Sequence, residues 1–248
     1  MPFWEHMREL VGCLRRVVVA LALGFFVCWG FHEELFAFLS APVFEALANN
    51  GIYSLHTIEI TESIVVYLKT SVVAGVVLTS PYVIYQLWAF VGPGLLKQER
   101  QFLFPLTFFT LLFFLIGTAF AYQVIIPFIT DWLVQLTLNS GDFEVMITVQ
   151  NTYSTSCRFL MVFGLVFELP LVIFFLSLFG AVTPGSLLRF FRYFVVLSFV
   201  ISAILTPPDP ISQILMALPL NALYAFGILV SWMVTRSEKR RAADPSGN

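Results

Sequence analysis

The 37 residues from Phe102 to Leu138 carry a single charged side chain, Asp131. As one continuous helix, at 1.5 Å per residue, this stretch is about 55 Å long, well beyond the roughly 30 Å hydrocarbon core of a bilayer. It must tilt, bend or protrude, and Pro127 is the natural bend. The rest of the chain agrees with a membrane setting: 59% of the 248 residues are hydrophobic and only 11% charged, where a soluble domain carries about 25% charged residues.

Five further apolar stretches accompany this one. Val17–Leu39 is long enough to span, and its apolar core is too long for a signal peptide, so it reads as a retained first helix. Ahead of it, Phe3, Met7, Leu10 and Leu14 recur at helical spacing and predict a short interfacial helix over residues 1–16. A polar loop, Ser40–Ser63, leads to a second span at Ile64–Phe90, which Pro81 should kink by freeing the carbonyl of Val77. After the loop Val91–Gln101 and the long third stretch, a fourth span is expected at Thr152–Phe179. Gly180–Arg192 reads as a basic turn. Two short spans follow at Tyr193–Thr206 and Ile211–Trp232, the latter kinked at Pro219. The expected fold is therefore all-α, one domain of six transmembrane helices over residues 1–232 with the last two short, and a polar, disordered tail at 233–248.

The basic residues orient this arrangement. Eleven of the thirteen Lys and Arg fall in the N-terminal segment, the second and fourth loops and the tail; the other two, Lys69 and Arg158, lie near outer helix ends. The positive-inside rule then places both termini in the cytoplasm, and Lys69 is expected to snorkel to the interface.

Glu168 stands alone among the apolar residues of Phe159–Leu178, two residues before Pro170. A charge at the centre of a membrane helix costs about 2.5–3.5 kcal/mol on insertion scales, so such residues face a protein interior or a wet cavity and mark function. Pro170 removes the backbone bond to Val166 and leaves an acceptor near the carboxyl group. On these residues alone a proton-coupled secondary transporter using Glu168 as a relay is one reading. No Gly-x-Ser-x-Gly, His-Glu-x-x-His or Walker motif is present, so an enzyme is not indicated. His6, His32 and His56 read as solvated, and Cys13, Cys28 and Cys157 have no metal-ligand spacing. No metal, cofactor or nucleic-acid partner is expected. Glu9 and Glu99, beside Arg8 and Arg100, either pair locally or receive a cationic partner through bidentate guanidinium–carboxylate hydrogen bonds.

Several strings decide between these readings by resemblance. His6-Met-Arg-Glu-Leu10, Ser40-Ala-Pro42, Pro81-Tyr-Val-Ile-Tyr-Gln-Leu-Trp-Ala-Phe90, Pro93-Gly-Leu-Leu-Lys-Gln-Glu-Arg100, Phe163-Gly-Leu-Val-Phe-Glu-Leu-Pro170 and Leu205-Thr-Pro-Pro-Asp209 with Ser212-Gln213 resemble the TatC family, in order across residues 3–232. That family is the polytopic receptor of the twin-arginine protein translocase in the bacterial inner membrane.

The resemblance implies six helices cupped around a concave face and a non-enzymatic receptor. Glu9 and Glu99 would receive the two arginines of the signal peptide, with Phe90 beside them and Glu168 on the cupped face. Thr206, Gln213 and Asp209 would lie where the single-helix partners TatA and TatB dock, and the chain would self-associate in a larger complex. In one place the chain departs from the pattern. After Glu9-Leu10 the family typically has basic residues, whereas here Val11-Gly12-Cys13 follows and the arginines stand at Arg15 and Arg16.

Overall fold

The structure, a computed structural model, describes residues 3–53, 55–91, 103–139, 147–206 and 209–243. Nine α-helices are found among them: α1 Phe3–Trp29, α2 His32–Asn49, α3 Glu62–Val91, α4 Leu103–Phe120, α5 Ile126–Asn139, α6 Val149–Val166, α7 Leu169–Leu178, α8 Pro184–Leu205 and α9 Pro210–Ala243. They make six segments long and apolar enough to cross a membrane: Met7–Trp29, Glu62–Phe90, Pro105–Leu138, Val149–Leu178, Pro184–Leu205 and Pro210–Arg236. The chain divides into two compact units, residues 1–161 and 162–248.

Within each unit large apolar side chains face both ways: Leu23, Phe26, Val196 and Ile204 are exposed, while Phe159, Phe163, Leu47 and Leu220 are buried together with Ser71, Ser198, Ser202 and Ser231. Lipid tails are as apolar as leucine, so outward-facing apolar side chains cost nothing, and small and polar residues settle between helices because they permit close approach and interhelical hydrogen bonds.

Several expected boundaries move, each for a local reason. Residues 3–16 form no separate surface helix, since α1 runs unbroken from Phe3 to Trp29. The first span then stops at Trp29 instead of Leu39. There His32 Nδ1 lies 2.8 Å from the Trp29 carbonyl and, in the tautomer that donates, satisfies an acceptor the helix end leaves open. His32 is half-buried, packed on Trp29 and Tyr67 rather than solvated.

The first half of the expected polar loop is helical. α2 continues through Pro42 to Asn49. Pro42 cannot donate to Phe38, and the freed carbonyl accepts instead from the Tyr122 hydroxyl at 2.7 Å, with the Phe38 and Tyr122 rings stacked at 4.9 Å. Gly51, at a φ of 77°, takes the left-handed conformation that ends the helix. Asn50 bridges the Ala46 carbonyl and Asp131 of α5.

Pro81 frees Val77 as expected, and Ser80 Oγ occupies that carbonyl at 2.7 Å. In the long third stretch the irregularity precedes Pro127: Ala121–Ile125 is a π-helical segment between α4 and α5. Such an insertion is one of the few ways a helix absorbs a proline without losing its other bonds.

The fourth span is two helices, α6 and α7, separated by a turn at Phe167–Glu168 with Pro170 in the first turn of α7. Gly180, at a φ of 68°, terminates α7. The expected basic turn then proves to be mostly helix. Thr183 caps α8 through a reciprocal bond pair with Ser186, and Pro184 occupies its first position. α8 is therefore 22 residues long, about 33 Å, which is long enough to cross a bilayer core. α9, with Pro219 inside it, continues through Ala243 into the segment read as a tail.

Candidate functional site

α1 and α3 pack along a seam of small residues, Cys13, Ala20, Gly24 and Cys28 on α1 against Gly75 on α3. A Cβ placed on Gly75 would stand 2.9 Å from the Phe25 nitrogen, and one on Gly24 2.9 Å from the Gly75 carbonyl oxygen, so the two backbones touch. Eleven residues away along both helices, in opposite directions, Cys13 Sγ donates to the Gln86 carbonyl at 3.3 Å. These two contacts fix the helices as antiparallel and set their register. One turn beyond Cys13 on α1 is Glu9; one turn beyond Gln86 on α3 is Phe90.

Glu9 and Phe90 therefore stand level at one end of the pair, Glu9 exposed and Phe90 half-buried. A carboxylate and an aromatic ring are groups that a guanidinium recognises in two ways, bidentate hydrogen bonding and stacking on the ring face. Glu99 lies outside the described residues.

In the second unit Glu168 holds the N-cap position of α7, with φ −72° and ψ −16° and no side-chain cap bond. Its Oε1 is buried. The Glu168 N–H donates to the Leu165 carbonyl and its own carbonyl accepts from Val172, so the residue sits where one helix ends and the next begins. Free backbone N–H groups at a helix N-terminus favour a neighbouring carboxylate, a helical environment that a continuous span would not give it.

Thr206, Asp209 and Gln213 are brought together where α8 turns into α9. Asp209 Oδ2 accepts from the Ser212 N–H at 2.7 Å and its carbonyl from the Gln213 N–H, capping α9. Thr206 is buried, 6% exposed, and its hydroxyl donates to the Ser202 carbonyl. Gln213 Nε2 reaches across to the Phe199 carbonyl at 2.9 Å. The Thr206 hydroxyl and one N–H of the Gln213 amide are thus engaged within the unit.

Sequence reasoning missed the polar contacts that tie helices together inside the spans. Lys69 does not simply snorkel: its Nζ donates to Ser154 Oγ of α6 at 2.6 Å. Ser177 bonds Ser231 at 2.7 Å between α7 and α9, and Asn221 Nδ2 donates to Ser198 Oγ at 2.8 Å between α9 and α8. Their only signal in the sequence is a small polar residue within an apolar run, which gives no partner.

The fold and these sites define a multi-pass helical membrane protein whose described features lie at helix ends and interhelical seams. The family model for TatC, Sec-independent protein translocase protein, matches residues 5–219. A TatC protein of Koribacter versatilis is 37% identical over 97% of this chain and 89% of its own length, and one of Helicobacter pylori is 37% identical over 94% and 88%. A crystal structure described as a twin-arginine translocase receptor, TatC, superposes with a TM-score of 0.84 at 32% identity, covering 93% of this chain and 99% of that one. The chain belongs to the TatC family, and it is a multi-pass inner-membrane component of Sec-independent protein translocation. That assignment leaves the proton-coupled transporter reading without support.

Proposed function

We propose that this chain is the non-enzymatic receptor that binds twin-arginine signal peptides through Glu9, Phe90 and Glu99 on the cytoplasmic side of the bacterial inner membrane, with both termini on that side. The observation that supports the proposal is the register of α1 and α3, in which positions 9 and 90 fall level at the end of α3 that is nearest to Glu99 in sequence. Two carboxylates and an aromatic ring suit a pair of guanidinium groups and discriminate against lysine, whose ammonium cannot form the bidentate fork.

The segment around Thr206, Asp209 and Gln213 receives TatA- and TatB-type single-helix proteins. Glu168 serves the later step in which partners assemble around bound cargo, and the receptor self-associates in a larger complex. Binding of a fluorescent twin-arginine peptide to the purified protein in detergent tests the central part. The Arg-Arg peptide should bind and its Lys-Lys counterpart should not; equal binding of the two would refute the site.

A further inference from the structure

Arg15 and Arg16 belong to none of the sites described above. They stand where the N-terminal segment meets the apolar run of α1, and both are exposed. The Arg16 guanidinium lies back along its own helix, Nε donating to the Gly12 carbonyl at 3.1 Å, over a position where glycine offers no side chain to displace it. Beneath the two arginines runs a groove of about 390 Å³ lined by Arg15, Arg16, Val19, Ala20, Leu23 and Tyr82. Tyr82 comes from α3, 43% exposed, and the α1–α3 register places it beside Val17. No acidic residue is among the described lining residues.

The chemistry of this groove is graded along α1. Two fixed positive charges stand at the interface end. Four and eight residues further on, Val19 and Leu23 continue the Arg15 face for about 12 Å into a hydrocarbon leaflet about 15 Å deep. An occupant must therefore be anionic at one end and apolar along the rest, and it must be available in the bilayer. We infer that the groove is a binding site for one anionic phospholipid, its phosphate between Arg15 and Arg16 and an acyl chain along Val19, Leu23 and Tyr82. A zwitterionic lipid meets the same walls but carries its own cation, which offsets the attraction of the two guanidinium groups.

Native mass spectrometry of the full chain in detergent, titrated with phosphatidylglycerol or with phosphatidylcholine of the same acyl chains, tests this. The unmodified chain should retain one phosphatidylglycerol at least tenfold more tightly than phosphatidylcholine. Each arginine near an anionic lipid surface contributes about fivefold. Arg15→Gln with Arg16→Gln should then weaken phosphatidylglycerol about 30-fold and leave phosphatidylcholine unchanged, while Leu23→Trp, which fills the groove, weakens both lipids. Arg192→Gln, which removes a charge from α8, should change neither. Equal retention of the two lipids by the unmodified chain overturns the inference, as does an equal loss in the double variant and in Arg192→Gln. A measurement on the unmodified chain in native membranes guards against misfolded variants: phosphatidylglycerol with a photoreactive acyl chain should label Val19–Leu23. A groove covered by a protein helix would stay unlabelled and the site would be lost.

Discussion

The thiol of Cys13 donates to the backbone carbonyl of Gln86, and this single bond sits in the same register as the crossing of Gly24 over Gly75. Cys13 faces α3, 6% exposed, and serves packing. The proposed recognition site of Glu9, Phe90 and Glu99 therefore has no basic residue at positions 11–13 of α1.

The Gly24–Gly75 crossing predicts an asymmetric response to added methyl groups. Gly75→Ala sets a Cβ against backbone that cannot retreat and should destabilise the α1–α3 pair by about 1–3 kcal/mol. Gly227→Ala meets Ile173 Cδ1, the far end of a flexible side chain, and should cost less than about 1 kcal/mol. Unfolding midpoints of the two variants in detergent check the order, and equal midpoints would show that the helices do not touch at Gly75.

Tyr122 and Pro42 form a compensating pair that a double-mutant cycle can resolve. Tyr122→Phe keeps the stacking on Phe38 but removes the hydroxyl from its carbonyl, and should destabilise by about 1–3 kcal/mol. Pro42→Ala restores the backbone N–H that the carbonyl lacks. In that background Tyr122→Phe should be nearly neutral; additive losses would contradict the pairing.

These two cases show where the sequence was legible. The six spans follow from apolar length, which no tertiary contact can override in a bilayer. Their ends do not, because they depend on which neighbour accepts or supplies a hydrogen bond. Pro42 looks like a loop residue until Tyr122, eighty positions later, takes over its missing bond. Arg189 and Arg192 look like a turn because the capping pair Thr183 and Ser186, which starts α8 ahead of them, is inconspicuous. Glu168 stands out in the sequence as a lone carboxylate in an apolar run and Glu9 as an acid beside Arg8, and only Phe90 is singled out by resemblance alone; the level placement of Glu9 and Phe90 depends on Cys13, whose small apolar side chain gives no sign in the sequence of the bond it makes.

Glu168 at the start of α7 makes different demands on glutamine and alanine. Glu168→Gln keeps size and hydrogen bonding and should preserve much of the transport activity of inverted vesicles. Glu168→Ala removes both and should impair the assembly step while leaving precursor binding intact. If both variants are equally inactive with normal precursor binding, the residue works through its proton instead.

Thr206 and Gln213 each already make one side-chain bond within the unit, to Ser202 and Phe199, so each single change should weaken partner docking only in part. Interhelical bonds in membranes average about 0.6 kcal/mol, which is less than threefold in affinity. Photocrosslinkers at both positions should capture a small single-helix partner in native membranes, and failure at both would remove this surface from the account.

The central claim is that the Glu9 and Phe90 end of the α1–α3 pair receives the signal peptide. A photoreactive residue at position 90, in vesicles exposing the cytoplasmic face, should crosslink a precursor bearing an Arg-Arg signal and lose that crosslink with a Lys-Lys signal or with Glu99→Lys. Crosslinking of equal strength to the Arg-Arg and Lys-Lys precursors, or persistence of the crosslink in Glu99→Lys, would contradict it.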